Sequence, residues 1–231
     1  MYELALFAGI GGGLLGSRLL GWKPIAAVEL NTYCRDILLK RQDEGYLEPF
    51  PIWDDIRTFN GRPFRGRVDI ITAGFPCQGY SPAGHQQGAA DSRNLWPDTL
   101  RVIREVEPKY ILLENVPELL SYRYFSEVAG GLASSGYSFK WKVLSAAELG
   151  ATHRRDRLWI VAHSNRFGLE TFRSQIRVPE EVGEYSCEGW WICASGVPRV
   201  DDGIPDRVER TKGVGNAQVP GVARLAWSML K

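Results

Sequence analysis

The chain has 231 residues, 44% of them apolar, and 28 Lys and Arg against 27 Asp and Glu for a net charge of +1. That content suffices for a full core, and the near-zero charge excludes binding of polyanions through bulk charge while leaving room for a local basic patch. No stretch approaches the roughly 18 apolar residues of a membrane span and no signal-peptide pattern occurs, so a soluble, non-secreted protein of one domain plus a small appended lobe is expected.

The first segment, Tyr2-Glu-Leu-Ala-Leu-Phe7, has a strand pattern and runs into Ala8-Gly9-Ile10-Gly11-Gly12-Gly13. A helical pattern follows, with Leu14, Leu15, Leu19 and Leu20 closed by Gly21. Glycines at a strand-to-helix turn let the backbone approach a nucleotide-like ligand closely. The next strand pattern, Pro24 to Val28, ends at Glu29, 20 residues after Gly9. That is the spacing at which an acidic residue meets a ribose hydroxyl in dinucleotide-type folds. The cluster departs from the dinucleotide fingerprint, because Leu14 stands three after Gly11, and it lacks the Gly-Lys-Ser/Thr of a phosphate loop. A tight turn with no ligand is the competing reading. Asn31 is placed to cap the following helix, with Cys34 on its buried side.

After a short strand comes Val68-Asp-Ile-Ile-Thr-Ala73, an apolar run of the kind found in buried parallel strands. It leads into Gly74-Phe-Pro-Cys-Gln-Gly-Tyr-Ser81. Pro76 fixes its own φ and restricts Phe75, so the direction of Cys77 is set by the backbone. Residues 86–93 form a polar loop, Leu95 to Glu105 an amphipathic helix, and Tyr110 to Leu113 a second buried strand ending in Glu114-Asn115-Val116-Pro117. Adjacent parallel strands would put Cys77 and Glu114 on one rim of the sheet, where open α/β folds build their sites. A thiol beside a carboxyl suits attack on an electron-poor ring: the thiolate adds, and the acid protonates or hydrogen-bonds the ring nitrogen that takes up charge. A lone Glu at a strand end is more often a solvated carboxylate; its pairing with Cys77 favours the catalytic reading.

Short helices are expected next, then a hairpin-like pair of strands, Tyr137 to Leu144 and Leu158 to His163, with the basic cluster His153-Arg-Arg-Asp-Arg157 between them. From Ser164 to Arg199 no periodicity is evident, and the segment carries Cys187, Trp190, Trp191 and Cys193. The two cysteines make a poor metal site, because no second pair exists and the chain has only 3 histidines. Four cysteines without framework spacing suit a reducing compartment. Val219 to Leu230 reads as a final helix that returns to pack beside the first strand. Alternating βα units argue for a mostly parallel sheet flanked by helices.

The ordered blocks Phe7-Ala-Gly-Ile-Gly-Gly12, Glu29, Asp55-Ile56, Gly74-Phe-Pro-Cys-Gln78, Glu114-Asn-Val116, Arg155-Asp-Arg157 and Gly215-Asn216 resemble the DNA (cytosine-5) methyltransferases, and the small size resembles compact phage or prophage members. The likeness covers most of the chain except roughly residues 164 to 200. It implies an α/β, Rossmann-like S-adenosylmethionine-dependent methyltransferase fold with a catalytic and cofactor-binding domain over 1–163, a reduced target-recognition region over 164–206, and a returning segment over 207–231. By the same resemblance Phe7, Gly9 and Gly11 would line the S-adenosylmethionine pocket and Glu29 would bind the ribose hydroxyls. Asp55 would accept from the adenine amino group, Ile56 would pack on the ring, and Asn216 would close the pocket. Cys77 would be the nucleophile and Glu114 would engage the ring nitrogen and exocyclic amine of cytosine. Arg157 would contact the base's carbonyl oxygen, and Arg155 beside it would help hold the thiolate or the DNA backbone. Gln78, Ser81, Arg93, Trp190 and Trp191 are candidate DNA contacts. No metal is implied.

The block around Arg155 departs from the family pattern, with His153 where a Gln is usual. The reader of the DNA sequence is short, and suggests a target of about two to four base pairs. Double-stranded DNA is the expected substrate, with a restriction endonuclease as a candidate partner, a monomeric state, no membrane, and a cytoplasmic location in a bacterial or phage-infected cell. A tRNA-methylating branch of the family usually has Pro-Pro-Cys-Gln and a Cys-Phe-Thr signature; here the tetrad begins with Phe75 and the second signature is absent. A catalytically silent binding module that needs a partner is the alternative from another class.

Overall fold

The computed structural model describes residues 1–76, 94–121, 123–167 and 213–231. Within them the strands are β1 (Tyr2–Leu6), β2 (Lys23–Val28), β3 (Ile52–Trp53), β4 (Ile70–Ala73), β5 (Tyr110–Asn115), β6 (Tyr137–Leu144) and β7 (Arg157–Ser164). The helices are α1 (Gly12–Leu19), α2 (Thr32–Asp43), α3 (Trp96–Val106), α4 (Arg123–Ser134) and α5 (Pro220–Leu230). The strands form a single sheet in the order β3-β2-β1-β4-β5-β7-β6. Pairing is parallel from β3 through β5, and β7 runs antiparallel between β5 and β6.

Both faces of the sheet are covered, which is why its central strands read as continuous apolar runs. On one face Leu4, Leu6, Ile71, Ile111, Leu113 and Ile160 pack with Val102 and Ile103 of α3 and Val128 and Leu132 of α4. On the other, Ala5 and Ala27 meet Leu14 of α1 and Leu38 of α2, while Ile70, Leu112, Trp159 and Val161 meet α5. Helix α3 keeps the predicted amphipathic pattern, burying Trp96, Thr99, Val102, Ile103 and Val106, with Pro97 in its first turn. Asn31 caps α2 as expected, its Oδ1 accepting from the Cys34 N–H at 3.0 Å, and Cys34 is buried.

Two elements differ from expectation. Where only short helices were expected, α4 is a full helix, built on Tyr124, Val128 and Leu132 spaced four apart and buried. Gly130 and Gly131 weaken its intrinsic propensity, and packing against the sheet overrides that. Helix α5 packs on α1 and on the β6 and β7 side, not beside β1. Its Trp227 sets the position, meeting Trp22 edge-on at 4.9 Å and Tyr110 at 5.2 Å between centroids. No described helix is long and apolar enough to cross a membrane.

The segment entering α5 lies so close to α1 that space there requires glycine at 12 and favours it at 13. A Cβ on Gly12 would stand 2.2 Å from the carbonyl oxygen of Gln218, and one on Gly13 would stand 2.5 Å from Gln218 Oε1. Beneath this contact Glu3 is fully buried on β1. Its Oε1 accepts from the Thr72 hydroxyl at 2.6 Å, and Ser17 of α1 hydrogen-bonds the same carboxyl. Burial outweighs these bonds and pushes the Glu3 carboxyl up to about 7.

Because the folded state holds this proton more tightly than the unfolded chain, stability is greatest below the unfolded carboxyl value and falls as pH rises through about 7. Urea unfolding at pH 5 and pH 8 should show a loss on the order of 3 kcal/mol that Glu3→Gln removes. Alanine at Gly12 must displace backbone, whereas alanine at Gly13 meets only the end of a side chain. G12A should therefore lower the melting temperature more than G13A, with an overpacking cost of roughly 1–3 kcal/mol.

Candidate active site at the carboxyl rim of the sheet

The parallel register of β4 and β5 pairs Ala73 with Leu113, so the next residues, Gly74 and Glu114, emerge side by side at the carboxyl rim. A Cβ on Gly74 would lie 3.2 Å from Glu114 Oε2, so the backbone of 74 runs directly past the carboxyl. Phe75 turns into the core, 3% exposed, against Trp96 at 5.2 Å and Tyr124 at 6.4 Å between centroids. Its carbonyl accepts from Asn115 Nδ2 at 3.0 Å. The backbone leading to Pro76 is thus anchored by a buried ring and a buried amide. Cys77 itself, with Gln78, Ser81, Arg93, Trp190 and Trp191, lies outside the described residues, as do Cys187, Cys193 and most of 164–206.

Glu114 is buried and lies opposite Trp159 of β7. Arg157, at the start of β7, brings its Nε to 3.0 Å from Glu114 Oε1. The approach is close, but its angle is poor for a hydrogen bond, and Oε1 has no well-aligned donor among the described residues. We therefore read the pair as charge attraction first. Burial pushes the Glu114 carboxyl up, while Arg157, Arg155 and a hydrogen bond from Gln218 pull it down. Resemblance placed Arg157 on the base's carbonyl oxygen; in this structure its partner is the catalytic candidate Glu114.

The glycine-rich turn after β1 faces Glu114 across a cleft. Ala5 to Gly9, Gly13, Leu14, Thr72 to Gly74, Glu114 and Asn216 to Gln218 line it, and it opens to solvent. Phe7 adopts φ 55°, a left-handed conformation that costs a non-glycine residue roughly 1–2 kcal/mol. The bond from Ala8 N–H to the Val28 carbonyl at 3.1 Å holds this turn in place. Gly9 and Gly11 have φ of 53° and 87°, so at these positions the turn favours glycine. Glu29 ties the turn to β2: its Oε2 accepts from Gly9 N–H at 2.7 Å and its Oε1 from Asn31 N–H at 2.8 Å. Each oxygen keeps a second lone pair, which suits a diol.

Asp55 and Ile56 follow β3. Asp55 is partly exposed, with Oδ1 accepting from Arg57 N–H at 2.9 Å. Ile56 is 3% exposed and joins the main core, so it supports the loop from beneath and does not present an open face to a ring. Arg101 of α3 pins the loop by donating to the Ile56 carbonyl at 2.6 Å and the Phe59 carbonyl at 2.9 Å.

Arg155 was expected near the thiolate or the DNA backbone, both outside what the structure describes; the contacts it makes here are with the returning segment. Its guanidinium donates to the carbonyls of Gly215 at 2.7 Å and Ala217 at 2.6 Å. It has φ 41°, and its turn is held by the Arg154 carbonyl, which accepts from Ala146 N–H at 2.7 Å and Ser145 Oγ at 2.6 Å. Planar donors spent on two carbonyls make Arg155 a clasp for the returning segment. That segment puts Asn216, exposed, on the cleft wall and brings in Gln218, which sequence reading did not single out. A polar residue two before Pro220, between Ala217 and Val219, was the signal available. Asn115 was quoted as part of a motif without a role; its tether to Phe75 supplies one. His153 is exposed on the turn before Arg155.

A family model for C-5 cytosine-specific DNA methylase matches residues 1–186. Type II methyltransferase M.NgoMIV of Neisseria gonorrhoeae is 35% identical over 169 residues, 71% of this chain and 52% of that protein. Type II methyltransferase M.HhaI of Haemophilus parahaemolyticus is 31% identical over 175 residues, 73% of this chain and 50% of that protein. The chain thus spans about half the length of these curated relatives. Among solved structures, a putative DNA modification methyltransferase encoded within an Escherichia coli prophage superposes with TM-score 0.59 at 24% identity, over 72% of this chain and 47% of that one. A DNMT2 mutant of Spodoptera frugiperda does so with TM-score 0.60 at 22% identity, over 72% and 51%. At those identities the superpositions speak to the fold, a Rossmann-like methyltransferase sheet. With the family model covering most of the sequence and the rim residues falling in its order, the chain belongs to the C-5 cytosine-specific DNA methylase family.

Proposed function

We propose that the chain transfers a methyl group from S-adenosylmethionine to carbon 5 of cytosine in double-stranded DNA. The observation that carries the reading is the buried Glu114 carboxyl, paired with Arg157 and set beside the anchored backbone that leads to Cys77, on the rim of a cleft built by the Phe7 to Gly13 turn.

The cleft and the turns after β1, β2 and β3 together offer groups that suit the cofactor. Glu29 is held by two backbone N–H groups with lone pairs to spare for ribose hydroxyls, Asp55 offers an acceptor to an adenine amine, and Phe7, Gly9, Gly11 and Asn216 would complete the walls. When bound, S-adenosylmethionine would supply an electrophilic methyl group. Cys77 adds to carbon 6 of the ring as the thiolate, and its electron pair moves through the ring to the nitrogen that Glu114 protonates or hydrogen-bonds. Carbon 5 becomes nucleophilic. Once it carries the methyl, loss of its proton returns the electron pair and breaks the bond to Cys77. Burial favours the protonated Glu114 that can donate to the ring nitrogen, and the arginines favour the carboxylate that remains afterwards. The target atom is unreachable in stacked duplex, so the base is flipped out at a cost of a few kcal/mol. Residues 164–206 serve as a reduced target reader, with Gln78, Ser81, Arg93, Trp190 and Trp191 as DNA contacts. The protein acts as a monomer in the cytoplasm of a bacterial or phage-infected cell, alongside a restriction endonuclease where one is present.

The test is transfer of labelled methyl groups to mixed-sequence duplex DNA, with tRNA alongside and the product sequenced for 5-methylcytosine. Label is expected in DNA. Cys77→Ser should abolish it and Glu114→Gln should lower it by roughly 10²-fold or more, both with cofactor binding retained. Wild-type turnover in the Cys77→Ser protein would end the mechanism, and label confined to tRNA would move the substrate to RNA.

A further inference from the structure

Gln218 stands where three parts of the rim meet. Its backbone carbonyl occupies the space a Cβ on Gly12 would need, and its Oε1 occupies the space over Gly13. Its Nε2 would lie 3.2 Å from a Cβ on Gly74, the same distance as Glu114 Oε2 from that point. Both groups therefore border the gap left by the missing side chain at 74, where the amide acts on the Glu114 carboxyl as a donor that favours its ionised form. An amide beside a carboxylate must present its N–H₂ to it, so the orientation of the side chain follows from the contact. Its backbone cannot drift, because Arg155 holds the carbonyl of Ala217 at 2.6 Å on one side and Gly12 closes the other.

We propose that Gln218 is a positioning residue for methyl transfer, aiming the Glu114 carboxyl from the first turn of α1 and so tying the cofactor side of the cleft to the base side. This rests on the role proposed above for Glu114. The charged groups that face the carboxyl are Arg157, at 3.0 Å, and Arg155. The described β4 exit, Gly74 to Pro76, and the first turn of α1 at Gly12 and Gly13 bring none. With the arginines unchanged, loss of the amide removes a bond that favours the carboxylate, and the Glu114 proton should be held more tightly.

The measurement is the titration of the Glu114 side chain by carbon NMR in the full chain labelled at glutamate carboxyls, with Glu114→Gln used for assignment. In Gln218→Leu the midpoint should move to higher pH. Turnover at saturating S-adenosylmethionine should fall by roughly 10- to 100-fold, as small misplacements at a reacting centre do. A merely structural role would lower the melting temperature and leave the midpoint in place. Gly13→Ala, which displaces the amide without removing it, should move the midpoint in the same direction, and decides the matter if Gln218→Leu does not fold. An unchanged midpoint in a folded variant overturns the proposal. The titration needs no activity, so a wild-type chain that methylates nothing would sink the functional reading and leave this test standing.

Discussion

The side-by-side exit of β4 and β5 is the constraint on which the site depends. Parallel pairing with Ala73 opposite Leu113 sends Gly74 and Glu114 over the rim together. Everything else at the rim accommodates that meeting. Phe75 and Asn115 fasten the β4 exit, and the antiparallel insertion of β7 brings Arg157 to the far side of the carboxyl. An all-parallel arrangement would start a strand at the opposite edge of the sheet and leave Arg157 a sheet's height away. The antiparallel strand is thus how a cation from late in the chain reaches a carboxyl from its middle.

Burial of charge runs through the same region. Glu114 at the rim and Glu3 deeper in the sheet are both held away from water, but their partners differ. Glu114 has two guanidiniums nearby, whereas the side chains bonded to Glu3 are the hydroxyls of Thr72 and Ser17. A carboxyl supported by hydroxyls stays neutral readily, whereas one flanked by arginines is drawn toward ionisation. The rim position is the one where both protonation states are supported, as acid-base work requires.

Much of this was legible in the sequence because it is written locally. The apolar runs gave the central strands, and Asn31 announced its helix; the Gly9 to Glu29 spacing pointed to a ribose contact, and the tie of Glu29 to the Gly9 N–H at 2.7 Å was not foreseen. The order of the motifs pointed to the family. What could not be read was fixed by distant contact. Arg155 looked like part of a basic patch, yet its partners lie 60 and 62 residues away. Glu3 occupies what reads as the polar phase of a short strand, and is buried because a parallel sheet is covered on both faces. Gly12 and Gly13 read as room for a ligand, and the room is taken by the chain's own Gln218.

That last contact reaches beyond this one molecule. Positions 12, 13 and 74 are emptied of side chains for the sake of what stands at 218. A shorter residue at 218 would release the constraint at 13, while Glu114 would still press on 74 and the backbone carbonyl would keep 12 as glycine whatever follows. Across diverging descendants of this sequence, 13 and 218 should therefore drift as a linked pair while 12 stays still, a pattern of inheritance set by packing between distant parts of the chain.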